Sequence, residues 1–142
     1  MKRASHCAFS LVEVTLALGI AAFCLLAVFG LMPVGVQTNR NATSQTAATN
    51  IMAAAIADLR ATTTNTSLQF AIAFGTNKTL FFDGTGQFTT SLGANSRYRL
   101  NVTWNSAPTG LRYADLKVTW PAAANTANAS GSTEAFAAFD RN

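Results

Sequence analysis

Acid–base chemistry in this chain would have to come from carboxylates, and there are six: Glu13, Asp58, Asp83, Asp115, Glu134 and Asp140. A working acid–base pair needs two of them held together in space, and nothing in their spacing predicts such a meeting. His6 is the only histidine, and Cys7 and Cys24 are the only cysteines. His6 and Cys7 stand ahead of the apolar run that begins at Phe9, so the remainder has no imidazole for a Ser-His-Asp or Cys-His arrangement and no histidine metal ligand. Asp83 begins a DGTG tetrapeptide (Asp83 to Gly86) that could lend oxygens to calcium, but the acidic cluster such a hard cation requires is missing. A hairpin turn accounts for the same residues. No cofactor is expected, and no enzymatic activity.

The cysteines do not make a disulfide framework, because Cys24 lies in the middle of the apolar run. A lipid-anchoring cysteine would follow an apolar segment, whereas Cys7 precedes one. What stands out instead is Glu13. It is the single charge between Phe9 and Met32, a stretch reading FSLVEVTLALGIAAFCLLAVFGLM. About 20 helical residues cross a hydrocarbon core, so this run is long enough to span. A carboxylate there costs a few kcal/mol near the bilayer centre and less toward the edge, and it calls for a partner. Ahead of the run, MKRASHCA carries only Lys2 and Arg3 as charges, and basic flanks stay on the cytoplasmic side. The segment after the helix is therefore expected outside.

A short basic leader, the small residue Ala8, then Phe9, Ser10, Leu11, Val12 and Glu13 opening an unbroken apolar helix resembles the class III signal of type IV prepilins and type II secretion pseudopilins. The resemblance implies cleavage by a prepilin peptidase between Ala8 and Phe9, N-methylation of Phe9, and a filament role for Glu13. In such a bundle Glu13 would pair with the positive N-terminal amine of Phe9 in a neighbouring subunit, setting axial register. Glycine is the family's usual residue before the cut, and Ala8 departs from it. Without a C-terminal cysteine pair, the chain looks more like a minor pseudopilin of the I or V type, and its turn and VTWP segment are similar to Verru_Chthon cassette protein B. The implied partners are the prepilin peptidase, other pilin or pseudopilin subunits through the N-terminal helix, and an inner-membrane assembly platform. The implied location is the inner membrane, single-pass with the C-terminal domain periplasmic, and then the filament. No metal is implied.

A spanning helix of this kind needs a domain outside the membrane, and the rest of the chain supplies it. Residues 1–8 form the leader, 9–32 the transmembrane segment, 33–61 the amphipathic second half of a long helix, and 62–142 a β-rich domain. Pro33, between Gly30 and Gly35, predicts a kink or melted stretch. Ile51, Met52, Ala55, Ile56 and Leu59 recur at spacings of three and four, the mark of an apolar helical stripe. That helix is expected to end at Arg60 or Ala61. Beyond it, SLQFAIAF (Ser67 to Phe74) and TLFF (Thr79 to Phe82) read as short strands, and DGTG as the turn into QFTT. Tyr98, Leu100, Val102 and Trp104 alternate with polar residues, and Leu116, Val118 and Trp120 repeat the pattern before Pro121. Ala122 to Ser132 is low in complexity and reads as a loop, with Thr133 to Phe139 a last strand. The fold class is thus α+β: a long membrane-spanning helix packed on a small C-terminal antiparallel sheet, pilin-like.

Two other functions compete. A secreted or membrane-anchored β-rich binding domain with a conventional signal would be cut near Ala27 or Gly30, although the run is long for such a signal. A minor pilin for DNA uptake would use a basic patch, for which Arg97, Arg99, Arg112 and Lys117 are the candidates. Losing Lys2 and Arg3 leaves eight basic residues against six acidic, and nucleic-acid domains are much more basic than that, so a solvated sheet face is the favoured reading.

Overall fold

The computed structural model describes residues 10–105 and 111–140. One helix, α1 (Leu11–Ala61), precedes five strands: β1 (Lys78–Phe82), β2 (Phe88–Thr89), β3 (Tyr98–Trp104), β4 (Arg112–Trp120) and β5 (Gly131–Phe139). The chain divides into two compact units, 1–40 and 41–142, with α1 running through both. An α+β fold results, an apolar N-terminal helix followed by an antiparallel sheet on which its second half packs.

In the first unit α1 is helical without interruption, Pro33 included. The expected melting at Pro33 is not observed. Proline removes one backbone bond and crowds the preceding turn, but the residues on both sides hold helical bonds of their own, so the defect stays local.

In the second unit the helix buries Ala48, Ile51, Met52, Ala55 and Leu59, with Ile56 half-buried beside them. That is the stripe the spacing of three and four predicts, and the helix ends at Ala61 as expected. Thr62 closes it by donating its hydroxyl hydrogen to the Asp58 carbonyl at 2.7 Å.

The sheet order is β2-β1-β3-β4-β5, antiparallel throughout. Strict alternation in β3 puts Tyr98, Leu100, Val102 and Trp104 on the inner face, opposite Phe82, Leu80 and Lys78 of β1 on one side and Val118, Leu116 and Ala114 of β4 on the other. Fully buried Leu80, Leu100, Leu116, Val102 and Val118 form the centre of the core. Burying each such side chain contributes about 1.5–3 kcal/mol.

Two segments depart from the sequence reading. SLQFAIAF is a folded loop with a single bridge between Thr66 and Ala73, and no strand of the sheet. Its alternating Phe70, Ile72 and Phe74 are buried all the same, because local groups satisfy the backbone that a neighbouring strand would otherwise serve. The Ser67 hydroxyl accepts from Ile72 N–H at 2.9 Å, and Ser67 N–H donates to the Ile72 carbonyl at 2.9 Å. Phe70 then meets Phe88 and Phe82 edge-on at 5.1 and 5.7 Å, and Phe74 meets Trp104 and Phe139 at 5.1 and 5.7 Å. The second departure is the low-complexity stretch. It holds a short 3₁₀ turn (Thr126–Asn128), buries Ala122 completely, and gives its last two residues to β5, which starts at Gly131. Gly131 belongs in the strand because Trp120 lies across it: a Cβ there would come within 2.3 Å of the indole ring.

Candidate functional site

The first turn of α1 is where the sequence concentrates its chemistry. Ala8 and Phe9 lie outside the described residues. Ser10 stands at the helix entrance, its Oγ accepting from Val12 N–H at 3.3 Å and its carbonyl accepting from Glu13 and Val14 N–H at 3.0 and 3.1 Å. Ser10 therefore acts as the N-cap, and Glu13 occupies the third helical position. The Ser-x-x-Glu spacing is that of a capping box, a signal that the sequence carries and that attention to the glutamate's charge alone misses. A carboxylate in the first turn also interacts favourably with the positive end of the helix dipole, by about 0.3–1 kcal/mol when exposed. Among the described residues the Glu13 carboxylate has neither an ion pair nor a hydrogen-bond partner.

Beyond Glu13 the helix exposes its apolar side chains on every side. Leu11, Phe23 and Leu26 are 82%, 74% and 72% exposed, and large apolar residues continue exposed to Val36. Apolar patches of this extent are not left in water by soluble monomers. By length and composition α1 can cross a membrane, and none of its apolar window is buried within the chain. Cys24 is exposed on this segment with a free thiol.

In the second unit Asp58 and Asp83 are each employed locally. Asp58 reaches from α1 to the loop, accepting from Gln69 N–H at 3.1 Å and Phe70 N–H at 3.0 Å. Burial raises its pKa, but the Ser67 hydroxyl and the backbone N–H groups of Gln69, Phe70 and Leu68 together outweigh that and hold the carboxyl below its usual range. Nothing in the sequence around Asp58 signals this role, since its partners are eleven and twelve residues away. Asp83 is consumed by its own turn: Oδ1 accepts from the Thr85 hydroxyl at 2.7 Å, Thr85 N–H at 2.8 Å and Gln87 N–H at 3.0 Å. Those bonds, the Thr85 hydroxyl foremost, lower its pKa. Gly86 supplies the positive φ, 87°, that closes the hairpin into β2. Among the described residues no three of His, Cys, Asp or Glu come together as a metal site would require.

Asp115 and Glu134 do meet, on the outer face of the sheet. Asp115 is raised above the usual carboxylate range by desolvation and then by the Glu134 charge, with Lys117 partly offsetting both. Lys117 pairs with Glu134 at 3.2 Å across the β4–β5 ladder. The other candidate cations lie against ring or glycine surface. Arg99 lies over the ring of its cross-strand partner Phe81, 5.4 Å from the centroid, and Arg97 and Arg112 rest against Gly84 and Gly75. The chain matches no family model, no curated protein and no solved structure.

Proposed function

We propose that this chain is a non-enzymatic minor pilin or pseudopilin subunit of a type IV pilus-like or type II secretion-like filament. The observation that supports this most is the contrast within α1: a spanning-length apolar segment left exposed among the described residues, opened by Glu13 in its first turn. Such a helix suits two solvents in succession, the bilayer before assembly and a bundle of like helices after it. In the bundle the Glu13 carboxylate takes the N-terminal amine of a neighbour's Phe9 as partner, which offsets two charges that would otherwise be costly in a dry interior. In this reading prepilin peptidase cuts between Ala8 and Phe9 and methylates Phe9, and an inner-membrane platform extracts the subunit with its sheet domain on the periplasmic side.

Mass spectrometry of the mature N-terminus tests this reading. The expected species begins at a methylated Phe9. An N-terminus beyond Ala27, or an intact Met1, would instead support an anchored or secreted binding domain. Glu13→Ala should leave membrane insertion unchanged and impair filament assembly, and normal filaments from that variant would remove the register role given to Glu13.

A further inference from the structure

An open five-stranded sheet has two edges, and here they are unlike. β2 is two residues long, a common way of blunting an edge, whereas β5 runs nine residues and pairs with β4 alone. Backbone directions along β5 follow from the register. Asn105 N–H donates to the Tyr113 carbonyl at 3.1 Å, so the backbone of Tyr113 faces β3. Tyr113 stands opposite Ala138, and alternation then turns the N–H and C=O of Ser132, Glu134, Phe136 and Ala138 toward the open side.

Among the described residues nothing covers that row. The edge also lacks the devices that prevent strand addition: β5 has no proline and no lysine, and its pairing to β4 runs from Gly131 to Phe139 without a bulge. Its one charge, Glu134, is already engaged by Lys117. Beside it Phe136 is 75% exposed on the outer face, with half-exposed Tyr113 its diagonal neighbour.

We propose that β5 is an interface at which a second copy of this chain adds its own β5, antiparallel, about a two-fold axis at Ala135. The occupant must present an extended backbone, and β5 is self-complementary in one register. Centred on Ala135, Ser132 stands opposite Ala138 and Glu134 opposite Phe136, each pair repeated by symmetry, so all four open residues bond. No charge directly faces a like charge, and the two Phe136 rings are diagonal neighbours about 7–8 Å apart, within aromatic reach. Sliding by two residues one way sets Glu134 against Glu134. Sliding the other way pushes Ser132 opposite Asp140, beyond the end of the strand. Such an isologous contact closes on itself and leaves no edge to propagate. It uses no residue of the apolar segment and does not depend on the filament reading.

Cross-linking of the full chain in detergent micelles tests it, with Cys7→Ser and Cys24→Ser as background. Ala135→Cys lies on the axis at a non-hydrogen-bonded pair, where Cα atoms come within about 4.5 Å and a disulfide can close. Oxidation should convert most of that variant to a covalent dimer, and should leave Thr89→Cys, on the opposite edge, monomeric. Mixing chains bearing Ser132→Cys with chains bearing Ala138→Cys gives the same test at exposed positions, through a heterodimer that exceeds either homodimer. Two substitutions then read the register. In the Ala135→Cys background, Phe136→Lys faces Glu134 of the other copy and retains the dimer, whereas Phe136→Glu faces it with like charge and reduces the yield by about fivefold or more. The proposal is overturned if Ala135→Cys and Thr89→Cys cross-link equally, as association through α1 alone would give. It is equally overturned if Lys and Glu at 136 act alike, or if the edge is filled by a strand of another protein while this chain stays monomeric.

Discussion

The two halves of α1 are one helix by backbone and two by chemistry. From Leu11 to Val36 the apolar residues surround the axis and stay exposed, while from Ala48 to Leu59 they form one stripe and are buried. Their carboxylates differ in the same sense. Asp58, in the second half, is held by the loop that the helix packs on, whereas Glu13, in the first, has no partner among the described residues. The second half is thus completed by its own chain. The first half leaves its apolar side chains exposed among the described residues and calls for an apolar surrounding.

If that division is right, truncating the two halves must have unequal consequences for the sheet unit. Leu59 is 1% exposed, and Leu59→Ala should destabilise the unit by about 2–5 kcal/mol, the range for deleting a buried leucine with its cavity. Leu25→Ala, on the exposed half, should leave the same unfolding transition within about 0.5 kcal/mol. Thermal denaturation of the full chain in micelles, followed by tryptophan fluorescence from Trp104 and Trp120, measures both. Equal losses would mean that the two halves share one core.

A second break in the comparison is smaller and lies in the sheet unit alone. Gly131→Ala forces a methyl into the Trp120 indole, and overpacking of this kind costs about 1–3 kcal/mol. Trp120→Leu should recover part of that loss by clearing the space. If Gly131→Ala melts like the parent, the glycine has no packing role.

How much of this is legible in the sequence depends on whether the partner of a residue is local. The stripe on α1 and the alternation in β3 are periodic, and periodicity reports the buried face without knowledge of what covers it. The DGTG turn is readable for the same reason, since Asp83 bonds residues two and four places on. SLQFAIAF has strand-like alternation and a loop's backbone because Asp58 and Ser67 capture its N–H groups, and no local pattern announces a long-range cap. The apolar segment, long enough to span a membrane, is plain from composition. The first turn's cap is equally local: the Ser10 hydroxyl forms it, and Glu13 stands at the capping-box spacing without a side-chain hydrogen bond among the described residues. The ladder makes Arg99 and Lys117 diagonal neighbours on the outer face, but it also sets Lys117 opposite Glu134 and Arg99 opposite Phe81, partners that the sequence alone does not show.

The smallest effect contrasts two carboxylates of the self-contained unit by pH. Asp58 has a folded-state pKa below its unfolded value, so its stabilisation is present above about pH 4 and is lost as pH falls through the lower, folded value. Asp115 is shifted the other way, so its favourable contribution is present below about pH 4 and is lost as pH rises through the higher, folded value. Asp58→Asn should therefore cost about 1–2 kcal/mol at pH 7, from weaker acceptance of the loop N–H groups, and progressively less toward pH 3. Asp115→Asn should do the reverse in sign, raising stability at pH 7 by removing an ionised group that stands desolvated beside Glu134, with the gain vanishing at pH 3. Denaturant melts of both variants at the two pH values decide it. Parallel pH profiles would show that the loop and the outer face of the sheet do not treat their carboxylates differently, and would leave the latch at Asp58 as packing rather than hydrogen bonding.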